Sequence, residues 1–316
     1  MTSTPARTGP GAATLTIEPD QAGRRLDNFL VAQLKGVPRS HVYRLLRRGE
    51  VRVNSRRSKA DYRLQRGDRV RIPPVRQRGE SGPATPPTQL SERLAARIVY
   101  EDDRLLVLNK PAGMAVHGGS GVGFGLIETL RALRPGAPFL ELVHRLDRET
   151  SGLLMVAKRR STLRALHELL RSGGVTKRYL ALLCGAWSGE TQRVEASLEK
   201  FVLRGGERQV RVHPEGKPAA SVFAPVQVYT STTLMDIELD TGRTHQIRVH
   251  AAHLGHPVAG DTKYGDSACN KALARTGLRR LFLHAHALAV TLPDGRELDL
   301  SIPLDAELRR VLDALT

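Results

Sequence analysis

The sequence predicts an α+β fold in two domains, and three observations predict it. Stretches of period-two alternation and of helical spacing succeed one another along 316 residues, enough chain to bury a sizeable core. Between Arg76 and Gln89 the chain carries Gly79, Ser81, Gly82, Pro83, Pro86 and Pro87 without hydrophobic periodicity, the composition of a semi-rigid linker. Charge is unevenly spread: the chain holds 49 basic and 32 acidic residues, a net +17, and the first 80 residues hold 18 basic and 7 acidic, +11 of that total. A small basic unit therefore precedes a larger, more balanced one. Such a field steers polyanions and gives salt-sensitive binding. It would also suit an acidic membrane surface, but no basic amphipathic helix with large apolar anchors appears, which favours nucleic acid.

Taken in order, residues 1–13 are mostly Ser, Thr, Gly, Ala and Pro without an apolar h-region, and are expected to form a flexible tail rather than a signal peptide. No apolar run reaches the roughly 18 residues of a membrane span. Cys184 and Cys269 lack metal-ligand spacing and form at most one bridge, so a reduced, cytoplasmic setting is expected. The first domain is expected over 14–75. Leu26, Phe29, Leu30 and Leu34 recur at helical spacing, and Ser40 precedes a second helix, His41 to Arg48, closed by Gly49. In that helix Val42, Leu45 and Leu46 face inward, while Arg44, Arg47 and Arg48 share the other face, with Arg39 just ahead. A basic stripe is ordinarily a solvated surface. Here it coincides with most of the net charge, which makes Arg39, Arg44, Arg47 and Arg48 candidates for RNA contact. Val51 to Asn54 and Arg69 to Ile72 read as short strands, Pro73-Pro74 stops the domain, and a linker is expected over 76–92.

The second domain is expected over 93–316. Ile98 to Tyr100 and Leu105 to Leu108 read as strands around an acidic turn. The glycines from Gly118 to Gly125 match neither a dinucleotide fingerprint nor a P-loop. Leu126 to Leu133 is helical in character, and Ser161 can cap a helix with Leu163, Leu166, Leu169 and Leu170 inward, ended by Gly173-Gly174. Val175 to Cys184 is a strand on which Tyr179 shares a side with Lys177 and Ala181. After strand-and-loop material, Leu234 to Asp240 alternates as a strand and leads to Thr244, placed to cap a helix with Ile247, Ala251 and Leu254 inward. His245, His250, His253 and His256 come without Cys partners or a HExxH pair, so no metal site is expected. Leu281 to Val290 and Glu297 to Ile302 are strands about a Pro293-Asp294-Gly295 turn, and Ala306 to Leu315 closes as a helix.

Chemistry concentrates between Val143 and Lys158. Leu153 to Ala157 has the composition of a buried strand, and His144 to Gly152 is the polar loop that feeds it. Loops held by a rigid scaffold are the usual home of catalytic groups. Asp147 stands between Arg145 and Arg148, neighbours that favour its charged form and suit a nucleophile or base. A lone loop aspartate is more often structural, fixing a turn through backbone N–H groups. The length of the motif weighs the other way: His144-Arg-Leu-Asp-Arg-Glu-Thr-Ser-Gly-Leu-Leu154 resembles the signature of the RluA family of RNA pseudouridine synthases. Lys110-Pro-x-Gly with Val116-His117, Lys177-x-Tyr-x-Ala181 and Gly242-Arg-Thr-His-Gln-Ile-Arg-Val-His250 resemble further blocks of that family. The first domain resembles the S4 RNA-binding module, so the resemblance runs from about residue 15 to the C-terminus.

This resemblance implies a catalytic domain built on a mixed, mainly antiparallel sheet decorated by helices, isomerisation of uridine to pseudouridine in RNA, and no cofactor. Asp147 would be the reacting carboxylate, Arg248 the cation paired with it, and Tyr179 the residue stacked on or bounding the uracil. Arg145, Arg148 and Arg243 would contact RNA, Arg145 by filling the space a flipped nucleotide vacates or by holding a flanking phosphate. Within the family the chain looks most like members that modify several uridines of 23S large-subunit ribosomal RNA, and a monomer is expected. Two rival classes stay open: a non-catalytic RNA-binding assembly factor, and a hydrolase, which would normally want a second carboxylate.

Overall fold

In the computed structural model, residues 12–34, 37, 39–75, 88–118, 124–203 and 206–315 are described. Residues 1–11 of the expected tail and 76–87 of the expected linker lie outside them. The chain divides into two compact units, Met1–Ala84 and Thr85–Thr316.

The first unit contains β1 (Ala13–Thr16), α1 (Leu26–Gln33), α2 (Arg39–Arg48), β2 (Arg52–Val53) and β3 (Arg69–Ile72), with β3 central in an antiparallel sheet. The spacing that predicts α1 builds the core, since Leu26, Phe29, Leu30 and Leu34 are all buried. On α2 the expected division holds: Val42, Leu45 and Leu46 are buried, while Arg44, Arg47 and Arg48 are exposed. The helix starts at Arg39, two residues earlier than expected, so Ser40 falls inside its first turn instead of preceding it. Gly49 ends it at φ 68°, with the Glu50 N–H donating to the Leu45 carbonyl.

The second unit runs α3 (Thr88–Ala95), β4 (Ile98–Glu101), β5 (Leu105–Lys110), α4 (Leu126–Leu133), β6 (Glu141–Leu142), β7 (Ser151–Ala157), α5 (Arg160–Ser172) and β8 (Val175–Cys184). It continues with β9 (Gln192–Glu195), β10 (Leu198–Val202), β11 (Arg208–Val212), β12 (Ala220–Val228), β13 (Thr232–Leu239), α6 (Gln246–His253), α7 (Ser267–Leu273), β14 (Leu283–Thr291), β15 (Glu297–Ser301) and α8 (Ala306–Asp313). One large sheet has the order β4-β5-β7-β14-β8-β13-β12-β9, with β15 added to β14 and β6 to β7, and β10 and β11 form a separate hairpin. Among the described residues only β7 and β14 pair in parallel, so the sheet is mixed and mainly antiparallel. Strands β5 and β7 read as continuous apolar runs because both of their faces are covered.

Two further helix starts and the state of the cysteines differ from expectation. Helix α3 occupies part of the expected linker; with only Leu90 and Leu94 as apolar positions it carries little signal of its own and forms by packing on α4. Helix α5 begins at Arg160, capped by Arg159, which leaves Ser161 inside the first turn. Cys184 and Cys269, expected as reduced thiols, are joined in a disulfide. Folding sets the end of β8 beside the first turn of α7, across 85 residues of sequence, with the two Cα atoms 6.2 Å apart. Among the described residues no helix is long and apolar enough to cross a membrane.

Candidate active site

The parallel junction of β7 and β14 positions the loop that carries Asp147. At Gly152, φ 115°, a Cβ atom would stand 2.3 Å from the Ala285 carbonyl oxygen, so only glycine lets the strands close there. The loop leaves the sheet at that point, its Thr150 N–H donating to the Asp147 carbonyl at 3.2 Å. At its start His144 accepts the Met155 N–H on Nε2 at 3.1 Å, and burial pulls the imidazole pKa down to about 4, which keeps it a neutral acceptor. Asp147, Tyr179 from β8 and Arg248 from α6 line one cleft, together with Arg145, Arg243 and His245. The cleft encloses about 60 Å³. Arg145 and Arg243 are the exposed cations at its rim.

The Asp147 side chain is 19 % exposed. Its Oδ2 accepts from Arg248 Nη1 at 3.4 Å, and His245 Nε2 stands 3.8 Å from the same oxygen. Oδ1 has no partner among the described residues. Arg145 and Arg148, the sequence neighbours expected to favour the charged carboxylate, make no ion pair with it. Arg148 instead donates through Nε to the Gly113 carbonyl at 2.9 Å and pairs with Glu149 at 3.6 Å. The cation beside Asp147 comes from α6.

For Arg248 the expected contact with Asp147 is present but is the weaker of two. Its Nε and Nη2 donate to Asp261 at 2.6 and 2.8 Å, a two-pronged pair, and its guanidinium lies 5.0 Å from the Tyr264 ring centroid. Burial works against both charges. For Asp261, the Arg248 bonds and the N–H groups of Lys263 and Tyr264 outweigh it and hold the pKa below the usual carboxylate value. For Arg248, Asp261 and then Asp147 outweigh it and raise the pKa. Asp261 has no place in the sequence reading, because Val258-Ala-Gly-Asp-Thr looks like any surface turn.

His245, weighed from sequence only as a metal ligand, is the other residue whose place the sequence misses. It sits at φ 55°, left-handed backbone that costs a histidine roughly 1–2 kcal/mol, and it, not Thr244, is the N-cap of α6. Gln246 locks the turn: its side-chain oxygen accepts the Arg243 N–H and the Thr241 hydroxyl, and its amide donates to the Ala220 carbonyl. The Tyr264 hydroxyl accepts the Val210 N–H at 3.0 Å and shares a hydrogen bond with His245 Nδ1 at 2.8 Å. Burial lowers the His245 pKa, and its Nε2 faces Asp147. His250 bridges Ser221 and the Ala196 carbonyl, and His256 bonds the Cys184 carbonyl. Among the described residues no group of three His, Cys, Asp or Glu is placed to hold a metal.

Tyr179 is buried, and burial together with the Asp147 charge raises its pKa, so the phenol stays protonated. Lys110, at the end of β5, is 0 % exposed and donates through Nζ to the carbonyls of Pro111, Met114 and Arg148 at 2.9, 2.9 and 3.0 Å. Burial pulls its pKa down to about 7 against the nearby charges of Glu149 and Asp147. The third of its bonds pins the residue next to Asp147. Lys110→Met is expected to leave three carbonyls without a donor, at ~1–3 kcal/mol for each buried group left unpaired. A denaturant midpoint equal to wild type would show that these bonds carry no stability.

A chain that presents one carboxylate between an arginine and a buried tyrosine, in a mixed sheet preceded by a small basic helical unit, belongs to the RNA pseudouridine synthases. The family model described as RNA pseudouridylate synthase matches residues 104–253, which hold Lys110, Asp147, Tyr179 and Arg248, and an S4 domain model matches residues 24–70. The chain is 54 % identical to the ribosomal large subunit pseudouridine synthase C of Salmonella typhi and to that of Escherichia coli strain K12, over 97 % of this chain and 97 % of each relative. Among solved structures, human RNA pseudouridylate synthase domain containing 4 aligns with 72 % of this chain and 95 % of its own, at 27 % identity and a TM-score of 0.61.

Proposed function

We propose that this chain converts uridines of the large-subunit 23S ribosomal RNA to pseudouridine, working as a monomer in the cytoplasm, with Asp147 as the group that acts on the nucleotide. The observation that supports these roles is the asymmetry of the carboxylate: Oδ2 faces Arg248 and His245, and Oδ1 is unpartnered in the cleft beside Tyr179. The reaction breaks N1–C1′, turns the uracil and joins C5 to C1′, with a proton lost from C5 and one gained at N1. It is an isomerisation and balances without an oxidant. Oδ1 serves whether the carboxylate attacks C1′, attacks the base or takes a sugar proton. Arg248 aims it, itself held by Asp261. Tyr179 bounds the uracil; as a protonated phenol it does not begin the reaction as the base for C5. A paired or stacked uridine must be flipped out at a cost of a few kcal/mol, and Arg145 and Arg243 at the rim contact the RNA around it. The test is nucleotide-resolution mapping of pseudouridine in protein-free 23S rRNA after incubation with the wild type. A bound RNA without a new site would defeat the reading.

The S4 unit supplies affinity. If Arg39, Arg44, Arg47 and Arg48 neutralise four phosphates at a slope of about −0.7 each, a fourfold rise in salt weakens binding about fifty-fold. Replacing Arg44, Arg47 and Arg48 by Ala in the full chain is expected to flatten the log–log slope by about 2. An unchanged slope would remove α2 from the interface.

A further inference from the structure

We infer that the cavity on the far side of the Asp147 loop is a second nucleotide subsite, which takes one unpaired nucleotide of the RNA flanking the target uridine; this rests on the RNA substrate proposed above. The cavity lies wholly within the second unit and encloses about 890 Å³, inside the range of ~300–1,000 Å³ usual for ligand pockets. Helix α3, strand β4 and the turn after β5 form its walls. Its floor is apolar, with Leu94, Ile98, Met114 and Phe124 among the lining residues, and Val99 on its edge is 39 % exposed, a large apolar side chain left in water.

The rim decides the occupant. Arg93, Arg97 and Arg148 line the cavity, and no acidic residue among the described ones does. The side chains of Arg93 and Arg97 are exposed and make no hydrogen bond or ion pair among the described residues, whereas Arg104, Arg131, Arg134 and Arg159 of the same unit each pair with a carboxylate. Two spare guanidinium groups above an apolar floor complement an anion that carries a flat apolar body. A nucleotide is that ligand: its base covers the floor and its phosphate meets the arginines.

Place in the fold ties the cavity to the reaction. Arg148 follows Asp147 in the chain, lines this cavity, and is pinned through its Nε on the Gly113 carbonyl and its own carbonyl on Lys110 Nζ. Cleft and cavity are thus two sides of one loop, and a strand threaded past Asp147 reaches both. The cavity holds the nucleotide beside the target and takes no part in the bond changes.

The test is photo-crosslinking of the full-length Asp147→Asn protein to a 23S rRNA transcript carrying 4-thiouridine, with crosslinked peptides mapped by mass spectrometry. Crosslinks are expected in the peptides bearing Val99 and Phe124, and a form that also carries Arg97→Ala and Phe124→Ala should lose about tenfold of that yield while the Tyr179 peptide keeps its own. Val99→Glu, at an exposed position, should act the same way and serves if the double change melts early. Crosslinks at Tyr179 without any at Val99 or Phe124, or a yield the variants do not alter, would overturn the subsite. Crosslinks in the cavity, with a wild type that makes no pseudouridine, would sink the catalytic reading and leave the subsite; no crosslink anywhere would sink both.

Discussion

Asp147→Asn is expected to abolish pseudouridine formation, with a loss on the order of 10⁴-fold or more, the scale seen when a group acting on the reacting atoms is removed. Binding and fold should survive. Asparagine has the same shape, and its removal of charge does not strand Arg248, because the strong bonds of that arginine go to Asp261 at 2.6 and 2.8 Å and only one bond, at 3.4 Å, goes to Asp147. The prediction therefore has two readouts: no new pseudouridine in 23S rRNA, and a thermal midpoint and RNA affinity close to wild type. Residual activity above about one part in a thousand would move the reacting role to another side chain. Lost affinity would show instead that the carboxylate organises the RNA-binding face.

Asp261→Ala should destabilise the protein strongly although Asp261 touches no nucleotide in the proposed mechanism. It leaves a buried guanidinium with one long bond and takes the acceptor from the Lys263 and Tyr264 N–H groups. Breaking a buried pair from one side costs roughly 3–5 kcal/mol, and for a domain of this size that is a fall in Tm of roughly 10 °C. Activity should fall in the protein that still folds, because Arg248 then turns its fork on Asp147 and occupies Oδ1. Asp261→Asn keeps an acceptor for the two N–H groups and should lie between wild type and alanine in stability. Equal denaturation midpoints for Asp261→Ala and wild type would contradict the view of Asp261 as the support of Arg248.

Sequence patterning located the elements whose burial is one-sided or complete along their length. Val175–Cys184 and Leu126–Leu133 have the bounds their residues predict, and the apolar run Leu153 to Ala157 lies within β7, which is buried along its whole length. Boundaries decided by other parts of the chain were not legible. Helix α3 needs α4 beside it, and the start of α6 needs Gln246 bonded to the β12 backbone, which is why Thr244 looks like the cap and His245 is the cap.

The same division runs through the site. The residues proposed for the reaction, Asp147, Tyr179 and Arg248, sit in contiguous motifs that carry their resemblance with them, and the structure gathers all three in one cleft. Charge partners are set by distance in space. The arginines next to Asp147 in sequence make no ion pair with it among the described residues, and the cation beside it arrives from residue 248, held by a carboxylate at 261, with His245 facing the same oxygen and bonded to Tyr264. Composition and motif determine what chemistry and what kind of partner the chain is made for. Only the tertiary structure, in which the sheet sets β7 and β8 close to α6, decides which charges are desolvated together, and hence which oxygen of Asp147 is left without a partner among the described residues.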